Sequence, residues 1–136
     1  QTFFSVGQHC IHCALEAQAR GMSRRVVLAC LLHDASEAYL SDVPRPFKKS
    51  LPAYQQLEDW LLAVIYQKYL GSALTAEEAA QVKQIDDDML WYDLATLLHD
   101  PPARPAPAMS TAFSYEVRPF AQVEQQYLAL YEQFQL

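Results

Sequence analysis

A run of seven apolar residues that leads directly into charged side chains constrains this sequence more than any other feature. Residues 26–32 are all valine, leucine, alanine or cysteine, and His33 and Asp34 follow at once. A segment that is apolar on every face belongs in a protein interior, and Ser23 is suited to cap a helix that begins just before it. Because buried ionisable groups need charged partners or a metal ion, we expect chemistry where this helix meets His33.

Caps, helix breakers and apolar spacing predict an all-α chain. Ser5 and Thr75 each stand three residues before a Gln or Glu, which is the pattern of a capping box. No segment alternates between polar and apolar residues with a period of two, so we expect a compact bundle of about five helices. Prolines predict loops over residues 41–52 and 100–107. The predicted helices cover residues 6–20, 23 to about 40, 52–70, 75 to about 99 and 115–136, with Pro119 in the first turn of the last.

The length of the chain predicts one domain with an ordinary hydrophobic core. A chain of 136 residues, 51% of them hydrophobic, buries roughly 68% of its unfolded surface. We therefore expect a single domain over residues 1–136 that folds without a metal or disulfide staple. Three cysteines are not typical of a secreted disulfide framework, which favours the cytoplasm. Because Gln1 is not an initiator residue, we expect that an N-terminal segment precedes this chain.

Charge and hydropathy argue against a nucleic acid polymer and a membrane as partners, and leave a second copy of the chain open. A net charge of -6 and a pI near 5.0 argue against binding of a nucleic acid polymer, which needs a basic surface. The longest apolar run is far shorter than the roughly 18 residues of a membrane span. The last helix carries more aromatic residues than a small core requires, which is compatible with a homodimer.

Three positions are candidates for chemistry on the evidence of the residues alone. His33, Asp34 and Glu37 lie within one helical turn of each other, although His33 bonded to a helix carbonyl and Asp34 paired with Arg45 would explain them equally well. His9 belongs to a His-Cys-x-His-Cys group that permits a zinc site, but buried core histidines and cysteines are the simpler interpretation.

The third candidate is Asp86, the first of three consecutive aspartates in the fourth predicted helix. Asp86 lies on the apolar stripe of that helix, whereas Asp87 and Asp88 neighbour polar residues. Adjacent like charges in a helix interior are unfavourable. We therefore expect Asp86 to point inward and the other two to form a solvated acidic face.

These segments together resemble the HD-domain metal-dependent phosphohydrolases, in the branch near the 5′-deoxynucleotidases and their phage-type relatives. The resemblance rests on residues 5–9, on the continuous block 31–48, and on Asp86 with Leu90 and Asp93. It implies an all-helical HD bundle, cytoplasmic and enzymatic, with one divalent metal ion. The implied metal ligands are His9, His33, Asp34 and Asp86, and the implied catalytic residue is Glu37.

The resemblance also implies a substrate-binding rim, which falls on Asp42, Pro44, Pro46 and Lys48. Arg45 is a further cation beside it. Two departures stand out: the family's preceding helix, with its phosphate-binding arginine, has no match in this chain, and Asp93 stands where relatives commonly have a glutamate. We assign no role to Asp93.

The implied reaction is hydrolysis of the phosphoester of a small nucleotide, most directly a nucleoside 5′-monophosphate, by a metal-activated water. Two imidazoles and two carboxylates favour Mn²⁺, Co²⁺, Fe²⁺ or Zn²⁺, with Mg²⁺ left open. Glu37 would accept the proton of the water or protonate the leaving group. The alternatives are a metal-containing nucleotide-binding or interaction module without turnover, and a structural helical domain whose histidines only fill the core.

Overall fold

The computed structural model describes residues 5–40, 43–98 and 106–136, and within these ranges the chain is all-helical, as predicted. Five helices have nine residues or more, and two short helices of four residues lie between the second and third of them. In chain order they are α1 (Val6–Ala19), α2 (Arg24–Leu32), α3 (Glu37–Leu40), α4 (Arg45–Lys48), α5 (Pro52–Leu70), α6 (Ala76–Leu97) and α7 (Phe120–Phe134).

The apolar helix α2 is the centre of the bundle, as its composition predicts. Every residue from Val26 to Leu32 is buried, and α1, α5, α6 and α7 all pack against this helix. Burial of a Val or Leu side chain contributes roughly 1.5–3 kcal/mol to folding. The same packing brings the C-terminal end of α2 next to α1 and α6, the helices that carry His9 and Asp86.

The predicted caps are present. Ser5 and Thr75 each form a complete capping box at the start of α1 and α6, and Ser23 accepts a hydrogen bond from Val26 at the start of α2. Gly71 ends α5 with φ 80°, a left-handed conformation that glycine adopts without strain. These local signals therefore fix where α1, α2, α5 and α6 begin or end.

Two predicted boundaries are wrong at the site end of the molecule. The second helix ends at Leu32 rather than near Leu40, because the ring of His33 donates from Nδ1 to the carbonyl of Cys30 at 2.6 Å and tighter turns follow before α3. Residues 45–48, predicted as a loop, form the short helix α4, since a proline is well tolerated in a first helical turn.

The last helix also begins later than predicted, at Phe120 rather than Tyr115. Pro119 disfavours a helical conformation of the residue before it, so it precedes the helix instead of lying inside its first turn. Residues 106–119 contain no helix. The predicted loop at 100–107 lies outside the described residues up to position 105.

The irregular segment before α7 is attached to α1 by one buried carboxylate. Glu16, which is fully buried, accepts hydrogen bonds from the backbone N–H groups of Ser110 at 2.6 Å and Thr111 at 3.1 Å. The attachment holds Phe113 and Tyr115 against α1 and α6.

No helix in the described ranges is both long enough and apolar enough to cross a membrane.

Candidate metal centre

Four side chains from three elements meet where α1, α2 and α6 pack together. His9 comes from the second turn of α1, His33 and Asp34 follow the last turn of α2, and Asp86 lies near the middle of α6. We call these four residues the His/Asp cluster. They are the four positions that the family resemblance implies as metal ligands, and the fold brings all of them together.

The Nε2 atoms of both imidazoles face the same carboxylate oxygens. Nε2 of His9 lies 2.9 Å from Oδ1 of Asp86 and 3.8 Å from Oδ2 of Asp34. Nε2 of His33 lies 3.2 Å from each of the same two oxygens. Two nitrogens and two oxygens therefore converge on one small volume.

The opposite nitrogen of each ring is held away from that volume. Nδ1 of His33 donates to the carbonyl oxygen of Cys30, and Nδ1 of His9 lies 3.5 Å from Oδ2 of Asp93. Asp93 in turn accepts a hydrogen bond from the hydroxyl of Tyr115 at 2.5 Å. Partners on both Nδ1 atoms fix the orientation of the rings, which leaves Nε2 as the nitrogen that each ring offers to the cluster.

The members of the cluster shift each other's pKa values in opposite directions. Burial disfavours the charged forms of His9 and His33. It is outweighed at His9 chiefly by Asp86 and Asp93, and at His33 by Cys10 and then by Asp34 and Asp86, so the pKa of both imidazoles is raised well above the usual value. Burial is likewise outweighed at Asp34 and Asp86, where the imidazoles lower the pKa of the carboxyl groups. Without an ion, these shifts favour protonated imidazoles paired with ionised carboxylates.

This donor set fits a divalent cation. Ligand atoms that lie about 2.0–2.2 Å from an ion stand roughly 2.8–3.1 Å apart in octahedral geometry and roughly 3.3–3.6 Å apart in tetrahedral geometry, and three of the four imidazole–carboxylate distances are 2.9–3.2 Å. A mixture of imidazole and carboxylate ligands suits Mn²⁺, Fe²⁺, Co²⁺ or Zn²⁺, whereas Ca²⁺ and Mg²⁺ prefer sites made of oxygen ligands alone. His9, His33, Asp34 and Asp86 are thus the residues that would hold such an ion.

Two of the three cysteines lie against the cluster. All three are buried, as the core interpretation predicts, but Sγ of Cys13 is 3.6 Å from Nε2 of His9. Ligand atoms of Cys13, His9, His33 and Asp86 all lie within 4.8 Å of one another, and Cys10 has the same relation to His33 and Asp34. Burial raises the pKa of the Cys13 thiol, so without an ion this thiol stays protonated.

His12, by contrast, is a core histidine. It is 3% exposed, and its ring lies 4.6 Å from that of Phe113. Burial lowers the pKa of His12 to about 4, so the ring is neutral at pH 7. Of the two alternatives open for the histidines of α1, His9 takes the site position and His12 the core position.

Arg45 reaches the cluster from outside. Its guanidinium donates to Oδ2 of Asp86 at 2.8 Å and to Oδ1 of Asp87 at 3.2 Å, while its side chain remains 55% exposed. The alternative in which Arg45 pairs with Asp34 is therefore wrong. The inner oxygen of Asp86 faces the imidazoles, and its outer oxygen carries a cation at the surface.

The other two aspartates do not form the solvated face predicted for them. Asp88 is only 15% exposed at its side chain and accepts from Arg20 at 2.9 Å, because α6 packs against α1 on that side. Asp87 accepts from Arg45 and Lys83. Asp86 is nevertheless the one that meets the imidazoles, as the stripe pattern predicts.

An apolar pocket of about 630 Å³ opens beside the cluster. Asp34 of the cluster and Glu37 both line it. Its walls include three tyrosines from α5 and α7, which are Tyr69, Tyr127 and Tyr131. The pocket thus adjoins the cluster through Asp34, and Glu37 is the other carboxylate among the lining residues.

The predicted rim residues have different surroundings. Arg45 contacts the cluster, whereas Nζ of Lys48 lies 3.1 Å from Glu58 on α5. Asp42 lies outside the described residues.

The sequence analysis assigned no role to Asp93 and interpreted the cysteines of α1 as core residues, whereas Asp93, Cys10 and Cys13 all lie against the cluster. Asp93 follows Asp86 by two helical turns on the same stripe, and this spacing was the available signal for it. Nothing in the sequence pointed to Tyr115, because its contact with Asp93 depends on the irregular segment held by Glu16.

No family model matches this chain. Among curated proteins, it is similar to the uncharacterized protein YfdR of Escherichia coli (strain K12), with 39% identity over 67 residues. The matched stretch covers 49% of this chain and 35% of that protein, so the chain matches about a third of the relative's length. The relative's name states no activity, and the case for a function therefore rests on the site.

Proposed function

We propose that this protein is a metal-dependent phosphohydrolase, of the HD-domain kind that the sequence resembles, and that it removes phosphate from a small nucleotide. The observation that carries the proposal is the convergence of two imidazole nitrogens and two carboxylate oxygens beside a pocket whose lining includes Asp34 and Glu37. The most direct substrate is a nucleoside 5′-monophosphate.

The His/Asp cluster would hold the ion, and the residues around it would handle protons and charge. A divalent ion at such a site lowers the pKa of bound water and withdraws charge from a phosphoryl oxygen. Glu37 lines the same pocket as Asp34 of the cluster, and in this role its carboxylate would exchange a proton with water or with the leaving oxygen. The half-exposed guanidinium of Arg45 is the nearest cation for the oxygens of a phosphate group.

The pocket suits the uncharged part of a nucleotide. A volume near 630 Å³ is within the range of small-molecule sites, and tyrosine rings offer faces on which a base stacks. The described residues that line it include two carboxylates and no lysine or arginine. A single phosphate placed at the cluster is therefore favoured over a polyphosphate that extends along the pocket.

A phosphate-release assay tests the proposal. Purified protein loaded with Mn²⁺ or Co²⁺ is offered a panel of nucleoside mono-, di- and triphosphates, beside the variants Asp86→Ala and Glu37→Gln. We expect release from monophosphates, loss of metal and activity in Asp86→Ala, and loss of activity with metal retained in Glu37→Gln. Asp59→Asn, which removes an exposed carboxylate on α5, is the matched control and should behave as wild type.

Metal-loaded protein that binds the panel without releasing phosphate would overturn the hydrolase proposal and favour the second candidate, a nucleotide-binding module. One observation favours that candidate: the two cations of the rim are already engaged, Arg45 by Asp86 and Lys48 by Glu58.

A further inference from the structure

Asp93 connects the His/Asp cluster to the segment before α7. Asp93 is 9% exposed, and the two oxygens of its carboxylate have different partners. Oδ2 lies 3.5 Å from Nδ1 of His9, and Oδ1 accepts the hydroxyl hydrogen of Tyr115 at 2.5 Å. The carboxylate therefore lies between a ring of the cluster and a side chain from a remote part of the sequence.

The two imidazoles of the cluster are oriented by different kinds of partner. His33 is held by the backbone carbonyl of Cys30 in the preceding helix α2, an acceptor that a side-chain substitution at Cys30 does not remove. His9 has a side-chain carboxylate at the equivalent nitrogen. A carboxylate on the far nitrogen of an imidazole ligand fixes its tautomer and raises the basicity of the nitrogen that faces the metal.

We propose that Asp93 is a positioning residue for His9, and that Tyr115 holds Asp93 in the orientation that this role requires. The inference rests on the proposed metal centre but not on the reaction there. Asp93 keeps the proton of His9 on Nδ1 and so presents Nε2 to the ion. Tyr115, fixed by the attachment of its segment to Glu16, prevents the carboxylate from turning into the cluster.

If Asp93 only stabilised the fold, its substitution would lower stability without a specific effect on metal binding. Asp88, on the same helix, is the comparison residue for that case. Asp88 is partly buried and is paired with Arg20, but no hydrogen bond or ion pair of the described residues links it to His9. Asp88→Asn should therefore lower the melting temperature without changing the affinity for metal. Asp93→Asn, if the carboxylate positions His9, should change the affinity as well.

The experiment is a titration of metal-free protein with Co²⁺, followed through the visible absorption of the bound ion, for wild type, Asp93→Asn, Tyr115→Phe and Asp88→Asn. We expect the Kd of Asp93→Asn to rise roughly 10- to 100-fold with an altered Co²⁺ spectrum. Tyr115→Phe should show a smaller rise, and Asp88→Asn the wild-type Kd and spectrum. In the Zn²⁺ protein, ¹⁵N spectra should show the proton of His9 on Nδ1.

Wild-type Kd and spectrum in Asp93→Asn would overturn this inference and leave the metal centre standing. Equal rises of Kd in Asp93→Asn and Asp88→Asn would overturn it too, since a general loss of stability would explain both. Wild-type protein that binds no Co²⁺ would overturn the metal centre and the role of Asp93 together. A normal titration without phosphate release would overturn the hydrolase proposal alone.

Discussion

Two buried charged clusters lie along α1, and they are satisfied in different ways. At the C-terminal end, Glu16 accepts from Arg20 and from two backbone N–H groups, and Arg20 also pairs with Asp88. We call Glu16, Arg20 and Asp88 the Glu16 cluster. At the N-terminal end, the carboxylates of the His/Asp cluster face mainly imidazole nitrogens, beside an open pocket.

The difference lies in the donors. Backbone N–H groups and a guanidinium carry their hydrogens at every ordinary pH, so the Glu16 cluster is complete as folded. An imidazole gives up its proton and can then bind a metal ion. A buried carboxylate by itself thus indicates only that it has partners. Carboxylates whose partners are imidazoles, beside a pocket, indicate a candidate metal-binding site.

The largest expected effect is on the Glu16 cluster. Glu16→Gln should destabilise the protein by about 3–5 kcal/mol, because three hydrogen bonds to a buried charged acceptor are weakened together, each of them contributing about 1.5–3 kcal/mol, and Arg20 keeps only Asp88 as an ionic partner. Urea unfolding measures the loss. The exposed Glu124→Gln on α7 is the control and should change stability little. A loss as small as that of the control would mean that Glu16 does not anchor the segment before α7.

The next effect belongs to the His/Asp cluster alone. Free metal at about 100 times its Kd should stabilise the folded protein by about 2.7 kcal/mol, so removal by EDTA should lower the melting temperature. Glu16→Gln should respond to EDTA as wild type does. Asp86→Ala should not respond, and a response of wild-type size in that variant would place the metal elsewhere.

His12 lies between the two clusters on α1 and predicts a pH dependence in acid. Burial lowers its pKa from 6.5 to about 4, so below pH 6.5 the unfolded chain binds a proton that the folded chain refuses. Stability is unaffected above pH 6.5 and falls below it, by about 2 kcal/mol at pH 5. The free energy of unfolding of His12→Gln, measured in urea at pH 7 and pH 5, should therefore fall less between the two pH values than that of wild type. Parallel losses in wild type and variant would show that His12 is not buried as a neutral ring.

The smallest effect on stability is expected at Arg45. Its side chain is 55% exposed, and exposed ion pairs contribute less than about 1 kcal/mol, so Arg45→Gln should melt close to wild type. If Arg45 binds the phosphate of the substrate, the KM for a monophosphate should rise roughly tenfold. An unchanged KM would remove Arg45 from the substrate site and leave it as a partner of Asp86.

The sequence predicted the parts of the fold that depend on local signals. The capping boxes at Ser5 and Thr75 and the interior position of residues 26–32 follow from patterns a few residues long. The early end of α2 was not predicted, although the bond between the His33 ring and the Cys30 carbonyl spans only three residues and a bond of His33 to a helix carbonyl was among the alternatives. The late start of α7 was readable from Pro119, since a proline restricts the residue before it.

The candidate site was predicted only in part: its four implied ligands were named from the sequence, and the contacts around them were not. The family resemblance named His9, His33, Asp34 and Asp86, and the structure brings them together. It assigned nothing to Asp93, and the contact of Asp93 with Tyr115 joins residues 22 positions apart in the sequence. Such a contact depends on how the segment before α7 is held. In this protein, the buried Glu16 of α1 holds that segment through the backbone N–H groups of residues 110 and 111.

The most direct test of the metal centre is elemental analysis of the purified protein with its His33→Ala, Asp86→Ala and Asp59→Asn variants, before and after resupply of Mn²⁺ or Co²⁺. We expect about one transition-metal ion per chain in wild type and in Asp59→Asn, and loss of it in the other two. Equal metal content in all four proteins, or none in any of them after resupply, would contradict the assignment of the His/Asp cluster as a metal centre.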